Sequence, residues 1–212
     1  MSIKKENQER ICDNIAETWN KYKVERFGNK EGLLNKFIKK TDKRVLDLGC
    51  GSGRNFVKFK GTIYGVDFSQ IMLDNAQKNA ERIGVKAILK KSPVYKLDFE
   101  NNYFDKALFI ATLHCVDSDL KRKKALKELY RVLKPGGKAI ITVWNKDSKR
   151  WKNKPKEKLV SWNVNGEKIW RYYYLFSPKE LKDLIESVGF KVIKESFPEA
   201  RNIIMVLEKP KR

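Results

Sequence analysis

Apolar residues recur along this chain with two periods, and the switches between them lay out the elements. Residues 4–24 carry Ile11, Ile15, Trp19 and Tyr22 at steps of three and four, the spacing of one face of an amphipathic helix. Leu33, Leu34, Phe37 and Ile38 mark a second, short helix over 29–40. From there, apolar runs at 43–48, 62–66, 85–90, 104–111 and 137–144 read as strands, with helices at 54–59, 69–82 and 118–133 between them. Strands alternating with helices imply an α/β domain whose parallel sheet is covered on both faces. Lys134-Pro135-Gly136-Gly137 predicts a tight reversal after the long helix, because proline cannot continue it and glycine supplies positive φ. Ser177, Pro178 and Glu180 have the spacing of a capped start for a helix over 177–188, which Gly189 ends. Strands 190–196 and 201–208 close the chain as an antiparallel pair. Only 145–176 keeps neither period, and it reads as an irregular insertion.

The chemistry is densest at Arg44-Val45-Leu46-Asp47-Leu48-Gly49-Cys50-Gly51-Ser52-Gly53-Arg54, where a buried strand runs into a glycine-rich turn. Gly49, Gly51 and Gly53 remove Cβ atoms where the backbone must turn sharply beside a ligand. The next strand ends at Asp67, whose carboxylate can accept hydrogen bonds from both hydroxyls of a ribose. The glycine spacing differs from the Gly-x-Gly-x-x-Gly of dinucleotide sites, and no phosphate-binding Gly-x-x-x-x-Gly-Lys follows. Asp47 would repel a pyrophosphate but would favour the ammonium and sulfonium of S-adenosylmethionine (SAM). On these residues, and on Arg131-Val132-Leu133-Lys134-Pro135-Gly136-Gly137, the chain resembles the class I SAM-dependent methyltransferases. The resemblance implies a Rossmann-like, seven-stranded, mostly parallel sheet with helices on both faces. It divides one domain (1–212) into N-terminal helices (1–42), a SAM-binding core (43–144), a basic and aromatic substrate-binding lobe (145–176) and a C-terminal helix with its strand pair (177–212). It assigns Asp47, Gly49, Cys50, Gly51, Gly53, Asp67, Phe68, Ser92, Pro93 and Ala111 to the cofactor.

Composition narrows the class. With 41% apolar and 34% charged residues and no apolar run long enough to span a bilayer, a soluble, cytoplasmic protein with no membrane partner is expected. Three scattered cysteines and one histidine make neither a disulfide framework nor a metal cluster. Lys and Arg number 47 against 26 Asp and Glu, a net charge of +21. An excess of that size attracts polyanions, nucleic acid first; the plainer source is a lysine-rich proteome. The insertion repeats the theme. Lys146, Lys149, Arg150, Lys152, Lys154, Lys156 and Lys158 interleave with Trp151, Trp162, Trp170, Tyr172, Tyr173 and Tyr174. That mixture suits phosphate contacts plus base stacking; equally, the aromatics can pack down as a small core under a solvated lysine face.

A methyl acceptor that is an amine or hydroxyl often needs a base, whereas a carboxylate is already ionised at neutral pH. The Asn/Asp-Pro-Pro-Tyr/Phe element of amine-directed enzymes is absent; Ala111-Thr112-Leu113-His114 stands at that strand end. His114 is the one histidine and faces the substrate side if the strand ends form the site. Leu113-His114-Cys115, Ile141-Thr142-Val143-Trp144, Leu159-Val160-Ser161-Trp162 and Arg171-Tyr172-Tyr173-Tyr174-Leu175-Phe176 are similar to elements of the tRNA wobble-uridine carboxymethyl methyltransferases. That family carries a second histidine where this chain has Cys115, a Tyr-His pair where it has Tyr173-Tyr174, and an acidic residue where it has Pro93. The likeness implies esterification of 5-carboxymethyluridine at the wobble position, tRNA as partner, and a small zinc-binding activator subunit as a second one. It assigns His114, Arg171, Tyr173 and Trp162 to the acceptor. The alternatives are a small-molecule O- or C-methyltransferase and a catalytically silent SAM-binding subunit of an RNA complex.

Overall fold

The computed structural model describes residues 7–24 and 30–211, without the side chains of Glu17, 19–24, 30 and 31. The sequence readings for 1–6 and 25–29, and the side chains of Trp19 and Tyr22, lie outside the described residues. Two helices open the fold, α1 (Gln8–Val24) and α2 (Lys30–Phe37). Strands β1 (Arg44–Leu48) and β2 (Thr62–Asp67) are followed by α3 (Gln70–Ile83), β3 (Ala87–Lys91) and β4 (Phe104–Ile110). A 3₁₀ turn (Leu113–Cys115) leads to α4 (Asp119–Val132) and β5 (Leu133–Trp144). A hairpin of β6 (Glu157–Val164) and β7 (Glu167–Tyr174), then α5 (Pro178–Glu186), β8 (Lys191–Glu195) and β9 (Asn202–Glu208), complete the chain.

The seven-stranded sheet has the order β3-β2-β1-β4-β5-β9-β8. β9 pairs antiparallel with both β5 and β8, so it alone opposes the direction of the rest. The period of two along each strand divides the core. Leu46, Leu48, Ala107, Phe109, Ala139 and Ile141 face α4 and α5, packing with Leu126, Leu129, Leu181 and Ile185. Val45, Leu108 and Ile140 face the opposite side, against Leu34 of α2 and Ile38 just after it. Ile63 and Cys50 meet Leu73, Ala76 and Ala80 of α3.

Three sequence expectations change. Residues 54–59 form turns rather than a helix, because consecutive side chains are drawn different ways. Asn55 bonds Asp47, Phe56 packs under α3, and Val57 joins the α2 side. The Lys134–Gly137 reversal is present, with Gly136 at φ 76, but it is built into a bulged start of β5. Gly136 N–H bonds the Lys209 carbonyl and Lys209 N–H bonds that of Gly137, which extends the sheet through the reversal. The insertion is irregular only up to Lys156: β6 and β7 then pair in full register across Asn165-Gly166, both at positive φ, the turn geometry that matches strand twist.

Hairpin and α1 close over the carboxyl ends of the central strands. Trp162, Val164 and Ile169 pack on Ile15 and Ala16 of α1 and on Met72 of α3. On the other face of β7, Tyr172 and Tyr174 enter the main core. Buried Arg122 lies over the Tyr174 ring at 3.9 Å and donates to the Val116 carbonyl at 2.6 Å, with Asp119 as its ion-pair partner.

Candidate active site

The glycine turn after β1 is held by the neighbouring strand: Gly49 and Cys50 N–H groups donate to the Val66 carbonyl at 2.7 and 3.0 Å. Gly49 (φ 75), Gly51 (φ 51) and Gly53 (φ 73) all take the left-handed conformation. At Gly53 a Cβ would meet the Phe56 ring and Ala76 backbone, so this glycine serves packing against α3. Asp67, at the end of β2, accepts from Gly51 N–H at 2.9 Å and from Ser69 N–H at 3.0 Å. Burial pushes its carboxyl up, and these two N–H groups and the Arg171 charge partly offset that.

Two cavities meet at Gly49, Asp67, Phe68, Thr112 and Cys115. The larger, about 410 Å³, extends past Pro93, Val94 and Tyr95 to Asn7 and to Gln8 and Glu9 at the start of α1. The smaller, about 100 Å³, runs between the glycine turn and the hairpin, lined by Cys50, Gly51, Arg54, Asn55, Ala111 and Arg171. Asp47 is fully buried beneath this second cavity and accepts from Asn55 Nδ2 at 3.3 Å to each carboxylate oxygen. Burial lowers the Arg54 pKa to about 10, against the pull of Asp47. Asp47 thus acts on the cavity through Asn55 and Arg54.

Period-two geometry puts Arg171 and Tyr173 on one face of β7. Arg171 Nη2 is 3.8 Å from the sulfur of Cys12 and 3.8 Å from that of Cys115, and its guanidinium sits 5.3 Å from the Tyr173 ring centre. Burial opposes the Arg171 charge, but Tyr173, the two cysteines and Asp67 outweigh it, and the pKa lies above the ordinary arginine value. Burial pushes the Cys12 thiol up to about 12 despite the neighbouring guanidinium, so it is a neutral thiol at pH 7. Tyr173 stacks on Trp144 at 4.1 Å, and His114 stacks on both, at 5.3 Å from Trp144 and 5.5 Å from Tyr173. His114 Nδ1 accepts from the Trp144 N–H at 3.3 Å.

Of the residues singled out in the sequence, Gly49, Cys50, Gly51, Asp67, Phe68, Pro93, Ala111 and Arg171 line the cavities. Ser92 stands one step behind, its N–H on the Asp67 carbonyl at 2.9 Å. Gly53 is in the packing of the turn. His114 and Tyr173 lie in the aromatic stack behind Arg171. Trp162 is away from the cavities, its Nε1 donating to Thr18 Oγ1 at 2.9 Å in the hairpin–α1 contact. Cys12 and Tyr95 had no sequence signal, since only tertiary contact brings them in, whereas Thr112 belongs to the Ala111–His114 strand end already singled out in the sequence. Arg54 and Asn55 did have one: they directly follow the glycine turn.

Residues 46–141 match the family model described as "Methyltransferase domain". A protein of Encephalitozoon cuniculi, "Putative methyltransferase ECU09_1500", is 32% identical over 78% of this chain and 78% of its own. The chain belongs to the class I SAM-dependent methyltransferases. A second relative of this methyltransferase is the tRNA (carboxymethyluridine(34)-5-O)-methyltransferase of Schizosaccharomyces pombe, 28% identical over 72% of this chain and 75% of that one. A solved Thermotoga maritima SAM-dependent methyltransferase, described as a possible histamine N-methyltransferase, superposes with a TM-score of 0.69 at 25% identity. It covers 94% of this chain and 99% of that one.

SAM is the cofactor, and the donor set fits it. Asp67 would offer carboxylate oxygens to the ribose, and Phe68, Pro93 and Val94 would offer apolar surface to the adenine. Arg54 would meet the carboxylate of the amino-acid end, and Asp47 would act on that end through Asn55 and Arg54. Bound there, SAM supplies an electrophilic methyl group on a sulfonium.

Proposed function

We propose that this methyltransferase esterifies the carboxylate of 5-carboxymethyluridine at the wobble position of tRNA. The observation that carries the reading is Arg171, a buried cation on the cavity wall beside Cys115 and Thr112, where the ends of β1 and β4 converge. A guanidinium is the side chain best matched to a carboxylate, by charge and by its fork of N–H donors. It keeps the acceptor ionised and aimed, and an ionised carboxylate needs no base to remove a proton. That agrees with a site whose one histidine is buried against aromatic rings. The Tyr173–Trp144–His114 stack stiffens Arg171 from behind, so His114 and Tyr173 act as positioning residues. The likeness to the Schizosaccharomyces pombe enzyme and the net charge of +21 support a polyanionic acceptor.

The test is tritiated SAM with bulk tRNA from a strain lacking the gene, followed by nucleoside mass spectrometry. One added methyl on carboxymethyluridine is the expected product. Label on a different nucleoside would discard the carboxylate; label only on small acids or quinones would replace tRNA as substrate.

A further inference from the structure

The cavities occupy one half of the sheet's carboxyl-terminal rim; the other half carries an exposed aromatic with no part in them. β8 runs parallel to β1, β4 and β5, so the connection from its end at Glu195 to Asn202 lies on that same rim. Phe197, within this connection, is 87% exposed, the most exposed large apolar side chain among the described residues. The turn that holds it is pinned. Asn145, fully buried at the end of β5, donates from Nδ2 to the carbonyls of Pro198 and Ala200 at 2.6 and 2.7 Å. The Ala200 N–H closes the turn on the Phe197 carbonyl at 3.0 Å. Asn145 Oδ1 meanwhile accepts from the Asp147 N–H at 3.0 Å, tying the turn to the start of the basic stretch.

The connection and the stretch that Asn145 ties to it are cationic. Lys149, Arg150, Lys152, Lys154 and Arg201 are exposed, and none forms an ion pair with a described residue. Of the nearby carboxylates, Glu195 is engaged by Lys182 at 3.7 Å, which leaves Asp147 and Glu199. A ring held in water on a fixed turn loses little further freedom when it is covered. A single ring among cations is a poor anchor for a protein, whose interfaces are depleted of charge at their centres, and a good one for a polyanion with flat bases.

We infer that the 196–201 turn is a stacking platform on which Phe197 receives an unpaired RNA base while Lys149, Arg150, Lys152 and Arg201 hold the flanking phosphates. Three strand spacings, ~14 Å, separate β4 from β8. The stacked base is therefore a neighbour of the reacting nucleotide on the same strand. The inference rests on the RNA substrate proposed above and locates the flanking part of it.

The experiment compares dissociation constants of wild type, Phe197→Ala, Phe197→Leu and Phe197→Trp for bulk tRNA and for a fully paired RNA duplex. Alanine and leucine should each weaken tRNA binding roughly ten-fold, tryptophan should retain it, and duplex binding should not change. Equal tRNA affinity for all four proteins, or an equal loss on duplex, would overturn the platform. So would full activity of the leucine variant, or loss of a co-purifying protein subunit from Phe197→Ala with RNA affinity intact. The two readings separate cleanly. Normal tRNA methylation by Phe197→Ala with unchanged RNA affinity removes the platform alone. A wild type that methylates no tRNA, yet shows the Phe197-dependent loss on single-stranded RNA, removes the substrate alone. At 87% exposure the position tolerates all three replacements, which melting curves would verify.

Discussion

A methyl group added at Gly49 would lie 2.2 Å from Thr112 Cγ2 on a backbone at φ 75, so the turn tolerates no side chain there. Thr112 cannot easily swing away, since its hydroxyl bonds the carbonyls of Gly49 and Ile110 at 3.2 and 3.1 Å. Gly49→Ala should cost about 2 kcal/mol or more of stability, seen in a melting curve, and should abolish measurable SAM binding by calorimetry. Asp67 yields a pH prediction. Its carboxyl is raised by burial, so the protonated form favours the empty fold at low pH. That contribution is lost as pH rises through the raised value. Ribose hydroxyls need the ionised form, so SAM affinity should fall on acidification, beginning above the range of an ordinary aspartate. Titration calorimetry across pH checks this, and Asp67→Asn should bind about ten-fold more weakly with the acid limb gone. Arg171→Ala should lower turnover on tRNA by two orders of magnitude or more while SAM binding changes little. Arg171→Lys should recover only part, because an ammonium lacks the fork. Asp47, Asp67 and the glycines were legible because their chemistry is local to a few consecutive residues. Cys12 was not: its place beside Arg171 exists only because α1 folds over the hairpin.

At the scale of elements, the hairpin decides how one wall of the smaller cavity is built. Asn165-Gly166 is a strong turn signal, but the dense basic and aromatic residues around it obscured the period-two pattern of β6 and β7. Gly166 has φ 91 and open space where a Cβ would go, so Gly166→Ala isolates the conformational cost. A loss of about 1–2 kcal/mol is expected, a few degrees of melting temperature. Turnover should drop with it, because the same turn sets the register that places Arg171. The missing helix over 54–59 teaches the converse. Its composition allowed a helix, but Asn55, Phe56 and Val57 find partners in three different directions, which no helical face can supply. Tertiary contact overrode propensity there.

For the whole molecule, charge distribution and sheet topology govern function together. A protein with a net charge of +21 that binds tRNA should lose affinity steeply with added salt, through release of counterions, while its SAM affinity stays nearly level. Parallel measurements from 50 to 200 mM salt would show the contrast; a flat tRNA curve would count against a phosphate-bound substrate. No helix among the described residues is long and apolar enough to cross a membrane. The periods of hydrophobicity, the glycine turn, the two aspartates and the antiparallel final pair sufficed to determine the sheet and the cofactor class, because each depends on residues near in sequence. Which side chains close that site was settled only by the tertiary structure. His114 is buried against the Trp144 and Tyr173 rings, Trp162 braces α1, and Arg171 reaches the cavity, all through packing of the hairpin, 3₁₀ turn and α1. Contacts between segments so distant along the chain have no local period to announce them.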